Sequence, residues 1–150
     1  MAYVPLSMRC NDYLLNVVNV HGTKTHSQNN EDGTLLQTLR CMGGHGTKEY
    51  FEFGTETGIK VSTRILQEYY GWTGYLMDEW NYDPSIPLRK EFISLSNIAS
   101  LLEKYKGNNT FNVLSVDVDH DDFFILCKIL LAGYWPWVLI SECNANFGAD

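Results

Sequence analysis

Residues 111–118, Phe111-Asn112-Val113-Leu114-Ser115-Val116-Asp117-Val118, decide how this chain is read. The run is short and nearly all apolar, and it ends in an acid. A parallel strand covered on both faces has this character, because neither face needs polar residues. Phe123 to Leu131 follows as an almost wholly apolar helix, and Trp137 to Ser141, with Val138-Leu139-Ile140 inside it, repeats the strand pattern. Strand, helix and strand within roughly 30 residues make a βαβ unit.

Working back from this unit, the same alternation recurs. Tyr50 to Phe53 is a β-prone run ending at Gly54, and Val61, Ile65, Leu66 and Tyr69 form a helical stripe. Thr73 to Met77 is a second strand closed by Asp78. A polar loop with Pro84 and Pro87 leads to a short third strand expected near Glu91 to Ile93. Ser96 is expected to cap a helix whose Ile98, Leu101, Leu102 and Tyr105 fall on one face. Gly107 to Thr110 makes the turn into residue 111. Further upstream, Ser27-Gln28-Asn29-Asn30-Glu31-Asp32-Gly33 starts a helix, with acids in its first turn, and Leu35, Leu36, Leu39 and Met42 continue it. Gly43-Gly44-His45-Gly46 stops it. Strands separated by helices of about ten residues predict an α/β fold. The expected architecture is a Rossmann-like parallel sheet with helices on both faces. One domain is expected over residues 27–150, after a weakly patterned N-terminal extension, residues 1–26. Within that extension Tyr13 to Val20 reads as either a strand or a helix.

Composition narrows the partners. The chain has 150 residues, 45% of them hydrophobic, enough for one good core. Its formal net charge is -7, and its densest basic site, Arg89-Lys90, runs straight into Glu91. Nucleic acid is therefore not expected as a partner. No apolar run approaches the roughly 20 residues that span a bilayer, and residues 1–10 show no signal-peptide core, so no membrane association is expected. Cys10, Cys41, Cys127 and Cys143 are widely spaced without a CxxC pair, and Cys127 and Cys143 lie in apolar segments. Reduced, buried thiols and a cytoplasmic location are expected.

Four segments carry candidate chemistry. Glu52-Phe53-Gly54-Thr55-Glu56-Thr57-Gly58 is a glycine turn between strand and helix, where backbone can approach a ligand or simply turn tightly. Glu52 and Glu56 suit a cationic sulfonium and amino group better than a pyrophosphate. Asp78, about 20 residues further on, stands where an acid can accept both ribose hydroxyls; the alternative is an acid that caps its own loop. Asp117, Asp119 and His120 end the fourth strand at the edge where ligands bind open α/β sheets. If the strand continued that far, Asp117 and Asp119 would face opposite sides and one of them would enter the site. Asp121 and Asp122 are read as charging the next helix N-terminus, and His120 as a general base or a solvated loop residue, the second being commoner. Glu142 and Asn144, after the fifth strand, could join Asp117 around a divalent metal, which is the less favoured reading. Asn146 reads as a turn residue. For Trp72, Trp80, Trp135 and Trp137, packing is the commoner use and stacking on a base the alternative.

Taken in order, these pieces resemble the FkbM-like group of S-adenosylmethionine-dependent methyltransferases. The matching stretches are Ser27 to Gly33, Phe51-Glu52-Phe53-Gly54, Gly71-Trp72-Thr73-Gly74-Tyr75-Leu76-Met77-Asp78, Phe92-Ile93 leading to Asn97-Ile98, Leu114 to Asp119, and Leu139-Ile140-Ser141-Glu142-Cys143-Asn144. The resemblance implies strand order 3-2-1-4-5 and S-adenosylmethionine as cofactor. By this likeness Glu52, Gly54, Thr55 and Gly58 frame the methionine part and Asp78 takes the ribose. Asp117 lies near the sulfonium and the acceptor, with Asp119 and His120 beside it as catalytic candidates. It also implies an O-methyltransferase acting on an unknown small molecule, and a sheet that lacks the family's last strands. A chain of that kind would be a fragment, a truncated homologue or a degenerate form, with its fifth strand an exposed edge inviting a homodimer. Two other functions remain: a non-catalytic cofactor-binding or scaffold protein of the same fold, and a glycosyltransferase using Asp117-Val118-Asp119 as a metal-binding DxD.

Overall fold

A computed structural model describes residues 24–43, 46–106, 110–119 and 121–142. The N-terminal stretch with Tyr13 to Val20, and Gly44, His45, His120, Cys143, Asn144 and Asn146, lie outside the described residues.

The chain is α/β. In order come α1 (Glu31–Cys41), β1 (Glu49–Phe53), α2 (Arg64–Tyr70), β2 (Thr73–Asp78), β3 (Leu88–Lys90), α3 (Ile98–Lys106), β4 (Val113–Val116), α4 (Asp122–Leu131) and β5 (Val138–Ser141). The five strands form one parallel sheet in the order β3-β2-β1-β4-β5, a Rossmann-like arrangement. Alternation along the central strands sends side chains to two cores. Phe51 and Phe53 of β1, Met77 of β2, and Leu114 and Val116 of β4 pack with Ile98 and Leu102 of α3 and Ile125 and Ile129 of α4. On the other face Tyr50, Leu76 and Val113 pack with Leu35 and Leu39 of α1 and Ile65 and Leu66 of α2. Helices thus cover both faces.

Three local expectations are corrected. β3 is Leu88–Lys90, not Glu91 to Ile93. Only Leu88 of its three residues is buried, at 1% exposure, so this edge strand carries no apolar run to read. Phe92 and Ile93 consequently lie beyond the strand's C-terminal end. The turn into α3 is built by Ser94 and Asn97 rather than capped by Ser96: Ser94 N–H donates to Asn97 Oδ1 at 2.9 Å, and Asn97 and Ile98 N–H donate back to the Ser94 carbonyl. Asn97 Nδ2 also holds the Phe92 carbonyl at 2.7 Å. Of the four tryptophans, Trp72 packs in the core, whereas Trp80, Trp135 and Trp137 are exposed. No helix among the described residues is long and apolar enough to cross a membrane.

Candidate functional site

A parallel sheet whose order reverses on either side of β1 opens a crevice at its C-terminal rim. Here β2 lies on one side of β1 and β4 on the other, and the chain leaves all three strands at the same rim. A cleft of about 700 Å³ stands there. Gly54 and Thr55 after β1, Asp78 at the end of β2, and Asp117 and Asp119 after β4 line it together.

Gly54 is set against β4. Its φ is 74°, in the left-handed region, and a Cβ built on it would stand 1.5 Å from the Asp117 carbonyl oxygen. Only glycine lets the β1 turn cross the end of β4 this closely. Gly58 has another task. Its Cβ would meet Ile86 Cδ1 at 2.7 Å, so it makes room for the β2–β3 connection and does not line the cleft. Between them Glu56 also takes a left-handed conformation, with φ 47°.

Glu52 borders the cleft, yet both carboxylate oxygens are engaged inside the protein. Ser62 N–H donates to Oε1 at 2.9 Å, and Thr63 N–H and Oγ1 donate to Oε2 at 2.9 and 2.6 Å. Thr63, the residue before α2, makes no capping bond with its own side chain. Glu52 supplies that acceptor from β1 and ties the strand to the helix start. Burial pushes its carboxyl above the usual range, and the Thr63 and Ser62 donors pull it back only in part.

Asp78 is 8% exposed. Its Oδ1 accepts from Trp80 N–H, Asn81 N–H and Asn81 Nδ2, each at 2.8 Å. The acid therefore closes its own loop through one oxygen, and Oδ2 is the oxygen through which it can meet a ligand hydroxyl. The same loop brings Trp80, at 74% exposure, to the cleft, facing a rim that also carries Phe92 at 60%.

β4 ends at Val116, so the expectation that Asp117 and Asp119 alternate across a strand does not apply. Asp119 turns back with φ 70°, and one oxygen each of Asp117, Asp119 and Glu142 lie within 4.8 Å of one another. Asp122, in the first turn of α4, meanwhile accepts from Val118 N–H through Oδ1 at 2.8 Å, a contact with the β4–α4 loop that the helix-terminus role read for it did not include. Asp117 is open to solvent, but desolvation by the cleft walls, with the charges of Glu142, Asp122 and Asp119 added, raises its carboxyl to about 6. Three carboxylate oxygens this close fit a hard divalent cation in donor type, although all three side chains are exposed.

A carboxyl raised in the folded state opposes folding once it ionises. The penalty begins above pH ~3.8, its unperturbed value, and is complete above about 6. Asp117→Asn should therefore stabilise the protein at pH 8 by about 1 kcal/mol after solvent screening, or about 2–4 °C in Tm, and by much less at pH 4. Thermal melts of both proteins at the two pH values check this; equal gains at both would remove charge repulsion as the cause.

Residues 25–31 form a wall that no single motif announced. Asp32 of α1, fully buried, gathers them: its Oδ2 accepts from Thr25, His26 and Ser27 N–H, and its Oδ1 from Ser27 Oγ at 2.7 Å. His26 Nε2 lies 2.9 Å from Glu68 Oε2 of α2. The strap thus held brings Gln28, Asn29 and Glu31 to the cleft. Among the described residues, nine carboxylate side chains line the cleft against one ammonium, Lys60. Such walls focus a negative potential that repels phosphates and attracts cations.

Compared with protein-family models, curated proteins and solved structures, the chain matches none.

Proposed function

We propose that the cleft binds S-adenosylmethionine and that the chain is a methyltransferase domain, with an oxygen of a small molecule as acceptor. The observation that carries this is the meeting of the Gly54 turn, Asp78 and Asp117 along one wall of one cleft. The charge of the walls supports it, because a sulfonium and an α-ammonium gain where a nucleoside diphosphate would lose. The acceptor oxygen follows from the FkbM-like resemblance alone. The free thiol of Cys127 agrees with a cytoplasmic location.

In this reading Asp78 Oδ2 accepts from the ribose, while Oδ1 keeps the 79–81 loop in place. Trp80 and Phe92 offer flat apolar surface to the base. Glu52 acts at one remove, by fixing the start of α2. When bound, the cofactor supplies an electrophilic methyl group on a positively charged sulfur. By the FkbM-like resemblance Asp117 would help balance that charge, and its raised carboxyl would equip it to take a proton from an acceptor hydroxyl. Asp119 and Glu142 crowd the same place and keep Asp117 ready to be protonated. Alignment of the acceptor does most of the remaining work.

Asp78→Asn separates the two duties of this residue, since the amide oxygen can still close the loop while its nitrogen cannot accept a ribose hydroxyl. Calorimetry should show S-adenosylhomocysteine binding to the wild type and about 1–3 kcal/mol weaker binding to Asp78→Asn, with Tm nearly unchanged. Equal affinities would remove the ribose role.

The proximity of Asp117, Asp119 and Glu142 favours one second reading, a metal-dependent glycosyltransferase. Manganese-dependent binding of uridine diphosphate without any response to S-adenosylhomocysteine would select it. Binding of S-adenosylhomocysteine with no methyl transfer to any acceptor would select a scaffold protein of the same fold.

A further inference from the structure

The charge of the cleft walls suits the sulfonium and the α-ammonium of S-adenosylmethionine, but the α-carboxylate of the same ligand is opposed by nine carboxylates. The nearest backbone donors are already committed. Gly54 and Thr55 N–H donate to the Met77 carbonyl at 3.0 and 3.4 Å, and Gly58 N–H to the Thr55 carbonyl at 2.8 Å. Ser62 and Thr63 N–H, at the approach to α2, are both spent on Glu52. What remains on this connection is a charged donor, Lys60, the one ammonium in the cleft walls among the described residues. Its side chain is exposed, and it makes no ion pair among those residues despite the surrounding acids. The backbone on either side of it is nevertheless fixed. The Ile59 carbonyl accepts from Arg64 Nη1 at 3.3 Å, Val61 is buried in the core beneath α1 and α2, and Ser62 is held by Glu52. A flexible stem thus starts from a set point on the cleft wall.

We propose that Lys60 binds the carboxylate at the amino-acid end of the cofactor, and so makes the cleft select an adenosyl ligand that carries an α-carboxylate over one that lacks it. The inference rests on the cofactor reading above. By the FkbM-like resemblance the methionine part lies along the turn that begins at Gly54, and Lys60 stands six residues further along the same β1–α2 connection. A compact ammonium on a four-carbon stem is suited to meet a carboxylate there as a point charge. The two ends of a zwitterion are then read separately: the acids of the walls favour its ammonium, and Lys60 its carboxylate. Loss of the lysine charge should accordingly depend on which of these groups the ligand carries.

Calorimetry of the whole 150-residue chain tests this with two probes, S-adenosylhomocysteine and its decarboxylated form, which keeps the amine and loses only the carboxylate. Lys60→Met keeps most of the apolar stem of an exposed side chain and should leave Tm nearly unchanged. It should weaken S-adenosylhomocysteine binding about 10-fold, while the decarboxylated probe binds as well as before or more tightly. Lys60→Arg should restore most of the loss. Unchanged affinity of Lys60→Met for S-adenosylhomocysteine overturns the proposal. So does an equal loss for both probes, which would make Lys60 a general part of the wall rather than the reader of the carboxylate. Either result leaves the cofactor reading standing, whereas a wild type that binds neither probe removes that reading and this inference with it.

Discussion

Gly54→Ala should destabilise the protein by about 3 kcal/mol or more and abolish binding in the cleft. Two costs coincide at this residue. The left-handed φ of 74° costs an alanine about 1–2 kcal/mol by itself. The added methyl carbon would also stand 1.5 Å from the Asp117 carbonyl oxygen, a separation no rotamer change relieves, because backbone faces backbone. The strands must part, and the displaced segment carries Asp117. Gly71→Ala is the internal control. Its φ of 66° brings the same conformational cost, but nothing lies within 4 Å of its new carbon, so its loss should stop at about 1–2 kcal/mol. Urea titrations of the two variants separate strain from collision. Equal losses would mean that the β1 turn does not need its close approach to β4.

Asp32→Ala should cost about 3 kcal/mol and also weaken ligand binding, although Asp32 does not line the cleft. Its carboxylate accepts from three consecutive backbone N–H groups and from Ser27 Oγ, and their loss frees the strap that bears Gln28, Asn29 and Glu31. Burial works to raise this carboxyl, but the bonds from His26, Ser27 and Thr25 prevail and hold it below its usual range. A lowered folded value contributes stability that is present above pH ~3.8 and lost as the pH falls through the folded value. The difference between wild type and Asp32→Ala should accordingly persist at pH 5 and 7 and shrink in the acid limb below pH ~3.8. Acid denaturation curves of both proteins measure it. A difference that does not narrow with acid would mean the charge of Asp32 is not what holds the strap.

The sheet was legible because β4, buried throughout, and β5, partly exposed, both read as uninterrupted apolar runs, and because Asp78 and Asp117 mark where β2 and β4 give way to loop. β3 was misplaced for the opposite reason. Leu88-Arg89-Lys90 pairs with β2 through its backbone, and its charged side chains face outward, so hydropathy points to the wrong residues. Within the site, sequence finds the acids but not their partners. Glu52 looks like a ligand contact until Ser62 and Thr63, ten and eleven residues away, fold back onto it. Gly54 and Gly58 look alike in the motif, and only the packing separates a glycine that meets Asp117 from one that meets Ile86. Asp32 was read as a first-turn acid answering the helix dipole. Its larger work, collecting the three residues from Thr25 to Ser27, depends on a chain reversal that no periodicity encodes. The exposure of Trp80 beside the cleft is likewise a property of the Asp78 loop rather than of tryptophan's usual place in a core.

The most direct measurement is an amide NMR titration of the isotope-labelled chain with S-adenosylhomocysteine. An adenosyl ligand in this cleft should shift the amides of Gly54 to Glu56, Asp78 to Asn81 and Ser115 to Asp119 together, at one ligand per chain, and leave those of Glu49, Thr73 and Val113 at the opposite end of the sheet unmoved. Shifts confined to that opposite end, or none at saturating ligand, would contradict the account.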